Sequence, residues 1–205
     1  MIPKFNIFHF PKAGGKSVRH QLQKNENVIM YYNSPMNRSS LRCNLSEYKF
    51  KTATKLSRGF WSSNINIAYG HFGYDNRFFK GYNTINIILL RHPIDWSASM
   101  YFYWKNKYNI ADNILQFIDK YKLPLLYQRY LGIDPSSNFS YIIKYEDYDA
   151  YLDLLFNVAR LDVKNISKNI TESKPKSYRD YLCQTNIFNS IESKFTKYID
   201  FYENI

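Results

Sequence analysis

The stretch Phe5-Asn6-Ile7-Phe8-His9-Phe10-Pro11-Lys12-Ala13-Gly14-Gly15-Lys16-Ser17 constrains this chain more than any other. A short apolar run gives way within a few residues to a basic glycine turn, and Val18-Arg19-His20-Gln21-Leu22 can then start a helix. A strand, a glycine turn and a helix N-terminus, in that order, form an anion-binding unit. The glycines let backbone N–H groups approach a phosphate, and the positive end of the helix dipole favours the charge. The expectation is that the rest of the chain serves an anionic nucleotide held at this turn.

Hydrophobic patterning places other strands around it. Thr84-Ile85-Asn86-Ile87-Ile88-Leu89-Leu90 is the most strand-like run, β-branched and nearly continuous as a buried parallel strand is. It stops at Arg91-His92-Pro93, and a helix is predicted over residues 94–107. Residues 28–32, 65–69 and 139–145 also read as strands, the second breaking at Gly70-His71-Phe72-Gly73-Tyr74. Helices are predicted near 17–24, 111–121, 125–131 and 146–160, and residues 164–176 read as a loop. A last helix spans 187–202, where Phe188, Ile191, Phe195, Ile199 and Tyr202 form one apolar stripe.

Alternating strands and helices argue for an α/β fold with a P-loop-like, mainly parallel sheet flanked by helices. The 205 residues suit one domain spanning 1–205. Ligands of such sheets bind beyond the carboxyl ends of the strands. If the strands are parallel, the turns at 11–17, 70–74 and 91–99 share one edge, and that convergence points to an active site.

The formal charge of +11 implies anionic partners, whether nucleotide phosphates, acidic glycans, nucleic acid or a membrane surface. Arg38, Arg42, Lys49, Lys51, Lys55 and Arg58 face a single acid, Glu47, across a loop-like segment that is either a solvated face or an acceptor contact. With 20 Tyr and 15 Phe, many rings are core, yet enough remain to stack on sugars or bases. Cys43 and Cys183 match no metal-ligand spacing and fit a reducing compartment. No signal peptide is visible, and no apolar run approaches the ~20 residues of a membrane span. The chain reads as cytoplasmic.

Gly14-Gly15-Lys16-Ser17 tempts a Walker A reading, but that pattern needs glycine at position 10, where Phe10 stands. The Thr84–Leu90 strand ends in Arg91, where a magnesium-using enzyme would want Asp. Metal-assisted ATP chemistry is disfavoured by both, though a P-loop small-molecule kinase stays open as an alternative.

The ordered motifs resemble those of sulfotransferases that use 3′-phosphoadenosine-5′-phosphosulfate (PAPS), especially the carbohydrate type that acts on heparan sulfate at 2-O or 6-O positions. Their 5′-phosphosulfate loop, F-H-x-P-K-x-G-G-T-S, is similar to Phe8-His9-Phe10-Pro11-Lys12-Ala13-Gly14-Gly15-Lys16-Ser17. Their 3′-phosphate segment, L-R-D-P-x-x-R-x-x-S-x-Y-Y, is similar to Leu90-Arg91-His92-Pro93-Ile94-Asp95-Trp96-Ser97-Ala98-Ser99-Met100-Tyr101-Phe102. Gly70-His71-Phe72, Tyr145-Glu146-Asp147 and Lys176-Ser177-Tyr178-Arg179-Asp180-Tyr181 resemble further family segments, in the same order. Lys16, His92 and Trp96 depart from the usual Thr, Asp and Arg.

The resemblance implies a sulfotransferase fold, a PAPS donor without a metal, and a carbohydrate acceptor, neutral or anionic. It places the donor on the turn Lys12, Ala13, Gly14, Gly15, Lys16 and Ser17, with backbone N–H groups on the 5′-phosphate. Lys12 would offset charge on the leaving phosphate. Arg91 and Ser99 would take the 3′-phosphate, which ATP lacks, and Arg179 would close over the donor. His71 is the implied general base, a role that suits an imidazole whose pKa lies near working pH. Its bland alternative is a hydrogen-bonded turn histidine, as His9 is a structural strand residue. Trp61, Tyr74, Trp96 and Trp104 are core by default, or line a sugar groove. A non-catalytic anion or nucleic-acid binder is the other rival, but no recognised nucleic-acid motif is present.

Overall fold

The computed structural model describes residues 4–22, 28–34, 37–42, 66–71, 84–161, 163, 178–184 and 187–205. Its strands are β1 Lys4–Phe8, β2 Val28–Ser34, β3 Asn37–Arg42, β4 Ile67–His71, β5 Thr84–Leu90 and β6 Tyr141–Lys144. They form one six-stranded sheet in the order β3-β2-β4-β1-β5-β6. β2, β4, β1, β5 and β6 are mutually parallel, and β3 pairs antiparallel with β2 at one edge. Phe5, Ile7, Phe8, Ile67, Ala68, Tyr69 and Ile87 to Leu90 are buried, as strands covered on both faces must be.

A polar pair sets the level of the two central strands. Asn6 is fully buried and directly opposite Asn86 in the β1–β5 ladder. Its Nδ2 donates to Asn86 Oδ1 at 2.7 Å, and Asn86 Nδ2 donates to the Asn138 carbonyl at 2.9 Å. A one-residue slip would leave these amides buried against apolar neighbours, so the register is specified by the cost of an unpaired amide. That register puts Phe8 level with Gly70 and Ile88. The turns after β1, β4 and β5 therefore do share the sheet's carboxyl edge.

The helices are α1 Gly15–Leu22, α2 Pro93–Tyr108, α3 Ile114–Lys120, α4 Leu123–Leu131, α5 Pro135–Asn138, α6 Tyr148–Asn157, α7 Tyr178–Gln184 and α8 Phe188–Glu203, with a 3-10 turn at Tyr145–Asp147. α2 packs against α3, α7 and α8. The predicted stripe of the last helix is core: Ile191, Phe195, Ile199 and Tyr202 are buried. None of the helices among the described residues is long and apolar enough to cross a membrane.

Several sequence expectations are corrected. The basic segment 38–58 does not begin as a loop, because Arg38 and Arg42 lie on strand β3; residues 43–58 are outside the described part. The helix expected over 146–160 is a 3-10 turn followed by α6. Pairing β4 with β1 and β2 carries that strand through Gly70 to His71, past the break read at Gly70. α5 and α7 are too short for an apolar period to announce them. The loop expected over 164–176 lies outside the described residues.

Candidate active site

The donor turn is anchored from below by Phe10. Its ring is buried against Trp96, Tyr127 and Tyr130, with centroids 5.4, 4.9 and 5.3 Å away. An aromatic anchor therefore stands where a Walker loop has glycine, and burying it is worth roughly 1.5–3 kcal/mol. Lys12 then adopts φ 64° and Gly14 φ 75°, and the Ala13 N–H donates to the Phe10 carbonyl at 3.2 Å. Ala13 is buried, and its backbone donor is used within the turn. Under Gly14 lies Tyr148, whose hydroxyl donates to the Gly14 carbonyl at 3.4 Å. A Cβ on Gly14 would sit 2.9 Å from Tyr148 Cε2 and 3.1 Å from Tyr145 Cε2. Burial, then Tyr145 and Asp149, push the Tyr148 phenol up to about 12, so it stays a donor. α1 starts at Gly15, earlier than the expected Ser17, and aims its N-terminus at the turn.

Arg91 leaves β5 and reaches back to this turn. Its Nη1 donates to the Lys12 carbonyl at 2.9 Å. Its guanidinium lies over the rings of Tyr145 at 5.0 Å and Tyr178 at 5.5 Å, contacts that orient a cation without neutralising it. Tyr127, its phenol held protonated by burial and by the nearby Tyr202 and Glu146, donates to the Arg91 carbonyl at 2.8 Å. Tyr178 comes from α7 and stacks on Phe102 of α2 at 5.5 Å.

Ser99, on α2, is only 1% exposed. It lies close enough to Tyr178 to lower that phenol's pKa, against the larger effect of burial. Even so, its Oγ makes no hydrogen bond of good geometry among the described residues. A buried hydroxyl without a partner costs about 1–3 kcal/mol, which a ligand oxygen would recover. His92, where the resemblance expects Asp, caps α2. Its Nδ1 accepts from the Ile94 N–H at 3.3 Å, Pro93 takes the first helical position, and Tyr202 packs on the ring at 5.2 Å. An imidazole nitrogen does here what a carboxylate oxygen does at an N-cap. Tyr202 in turn donates to Glu146 Oε2.

His71 ends β4 beside His9, the first residue after β1. Their rings stack with centroids 4.2 Å apart and planes 28° apart, and the His9 N–H donates to the Gly70 carbonyl at 2.8 Å. Burial first, then the Arg19 charge, bring the His71 pKa down to about 3. His9 is lowered by burial, then by His71, Arg19 and Lys12. The expectation of a His71 pKa near working pH is not met in the free protein: the imidazole is neutral but a weak base.

The structure thus brings together Lys12, Gly14, Arg91 and Ser99, and puts His71 on the same edge. The side chains of Gly15, Lys16, Ser17 and Arg179 lie outside the described part, as do Trp61, Phe72 and Tyr74. Trp96 is fully buried and Trp104 packs on Phe117 and Tyr121, so both are core rather than groove. Sequence reasoning missed Tyr103, whose ring carries the Lys12 ammonium at 4.3 Å. It also missed the roles of Tyr145, Tyr148 and Tyr178 around Arg91 and Gly14. Tyr145 and Tyr178 lie inside the quoted motifs and Tyr103 and Tyr148 just beyond them, but nothing in a sequence of 20 tyrosines assigns them these contacts. Among the described residues no group of three or more His, Cys, Asp or Glu side chains is placed to hold a metal ion.

No family model matches the chain, and no curated protein matches it by sequence at a significant level. Among solved structures it is similar to a sulfotransferase from Alicyclobacillus acidocaldarius, at 15% identity and TM-score 0.52, over 98% of this chain and 96% of that one. The mainly parallel sheet with its flanking helices thus matches a sulfotransferase fold.

Proposed function

We propose that this protein transfers a sulfonate group from PAPS to a hydroxyl of a carbohydrate acceptor of the heparan sulfate type. The observation that carries the reading is the meeting of Arg91 with the Lys12 turn, beside a buried Ser99 hydroxyl whose contact with Tyr178 is not a well-formed hydrogen bond. A donor carrying phosphate at both ends of its ribose fits this arrangement. The turn and the α1 N-terminus take one end, and Arg91 and Ser99 take the other. ATP leaves the second pair unsatisfied.

When bound, PAPS supplies an activated sulfonate whose bond to the 5′-phosphate oxygen breaks as the acceptor oxygen bonds to sulfur. Lys12 offsets negative charge that grows on the phosphate side. The backbone of Gly14 to Ser17 holds the phosphate, and Arg179 closes over it. His71 accepts the acceptor's hydroxyl proton. An anion near Arg19 weakens the charge that, after burial, depresses this imidazole, so donor binding strengthens the base. The +11 charge favours an acidic glycan. Exposed Tyr103 and Tyr108, with Lys107 over both rings, extend from Lys12 as a surface for it. The chain works as a single domain in the cytoplasm.

A thermal-shift comparison of adenosine 3′,5′-bisphosphate, ATP and AMP tests the donor site. Stabilisation by the bisphosphate alone is expected; equal indifference to all three overturns the reading. Stabilisation by ATP with magnesium, lost in Lys16→Ala, would favour a kinase.

A further inference from the structure

His9 was read from sequence as structural, yet two imidazoles are a costly way to fill the edge of an apolar sheet. A leucine or phenylalanine fills the same space with no ring nitrogens to satisfy. The pair is held in detail. The rings stack at 4.2 Å, Tyr69 lies on the far side of His9 at 5.4 Å, and the His9 N–H to Gly70 bond keeps the two residues level. The His71 ring also hydrogen-bonds to the backbone of His9. That contact favours the protonated ring, as a carbonyl acceptor does and an N–H donor does not. In a neutral imidazole the nitrogen that donates to a carbonyl carries the proton, and the other nitrogen holds the lone pair.

We propose that His9 is a positioning residue for His71: its imidazole face fixes the ring plane, and only in that plane does its backbone carbonyl select the ring tautomer. One defined nitrogen of His71 then holds the lone pair in one orientation. The charged groups around the pair are Arg19 from α1, which faces both rings, and Lys12 from the donor turn, which faces His9. On the other side, β2 places Tyr32 level with His71. The inference rests on His71 being the base, since a positioned lone pair matters only to a proton acceptor. It adds a residue that the donor and acceptor sites do not account for.

The test uses the full chain labelled with 15N at histidine, with wild type, His9→Phe and His9→Ala compared. NMR reads the tautomer populations of His71, and single-turnover transfer to desulfated heparin oligosaccharide reads the rate. Wild type is expected to show one His71 tautomer. His9→Phe keeps the ring face and the carbonyl, and is expected to retain that tautomer and most of the rate. His9→Ala keeps the carbonyl but removes the ring face that holds His71 against it, and is expected to mix the tautomers and lower kcat about tenfold, with the donor KM unchanged, as misorientation of a base does. Two populated tautomers in wild type overturn the proposal even if neither variant folds. So does His9→Ala with a single tautomer and full rate. Bisphosphate affinity is measured alongside. Its absence in wild type sinks the donor reading alone, whereas full activity in His71→Ala sinks the base and the role of His9 with it.

Discussion

The Arg91 guanidinium donates to the main-chain carbonyl of Lys12 at 2.9 Å, across 79 residues of sequence. The bond joins the end of β5 to the turn after β1 and holds the arginine's planar fork in place. It also requires Lys12 to keep its left-handed backbone, because that conformation aims the carbonyl. One interaction therefore couples the geometry of both halves of the proposed donor site.

Arg91→Ala should lose the coupling and the bidentate phosphate contact together. Adenosine 3′,5′-bisphosphate affinity is expected to fall at least about 30-fold, or ~2 kcal/mol. Arg91→Lys should recover little, since an ammonium cannot span the Lys12 carbonyl and a phosphate at once. Titration calorimetry reads both, and near-wild-type affinity in Arg91→Ala would contradict the assignment.

Lys12 and Lys16 separate transfer chemistry from supporting charge. Lys12→Met should reduce kcat by about 10²-fold or more, with bisphosphate binding largely kept, because its charge matters most as the phosphate leaves. Lys16→Met should cost only a few-fold, about 1 kcal/mol of screened attraction. A reversal of the two effects, measured as kcat and Kd, would return the turn to a kinase-like reading.

Gly14→Ala is strained twice, by φ 75° and by a Cβ 2.9 Å from the Tyr148 ring. A loss of roughly 1–3 kcal/mol of stability is expected from the backbone alone. Adding Tyr148→Ala should relieve the clash but not the backbone term, so the double mutant should show a positive coupling in urea unfolding.

Phe10→Gly would restore the Walker spacing. It should cost about 3–5 kcal/mol, because the ring is fully buried among Trp96, Tyr127 and Tyr130, and it should not create ATP affinity. Chemical denaturation with a nucleotide binding assay checks both halves.

The pH dependence follows from the buried imidazoles. His71 has a folded pKa of about 3 against roughly 6.5 when unfolded, and His9 is shifted in the same direction. A depressed histidine favours the fold where the unfolded ring is also neutral. The contribution is thus present above about pH 6.5 and is lost progressively as pH falls toward 3. Wild type should lose stability across that window, and His71→Phe should lose less. Saturating bisphosphate should raise the His71 pKa by masking Arg19, which an NMR titration of the ring would read directly. An unchanged titration would show that donor binding does not activate the base.

Much of the sheet and half of the site were legible in the chain itself. The Phe5–Ser17 stretch announces a strand, a turn and a helix. The Thr84–Leu90 run announces a buried parallel strand, and Arg91 at its end announces a charge that needs a partner. These are local signals, written in apolar period and turn chemistry. β3 was not legible, because Asn37 to Arg42 has no apolar period and becomes a strand only by pairing with the edge of β2. α7 was not legible either, since it is seven residues long and held by packing on α2.

What the sequence alone determined is the chemistry available: a basic glycine turn, an arginine after a buried strand, a histidine at another strand's end, and no glycine at Phe10. Only the tertiary structure decided how those groups meet. The Asn6–Asn86 register, the Lys12 carbonyl on Arg91, the tyrosines beneath Gly14 and around the guanidinium, and the stack of His9 on His71 all join residues distant in sequence. Such contacts depend on strand order and on which rings the core has room for, and a one-dimensional pattern carries neither. For the same reason the His71 pKa, near neutral for an isolated imidazole, is set by burial and by Arg19 across the fold.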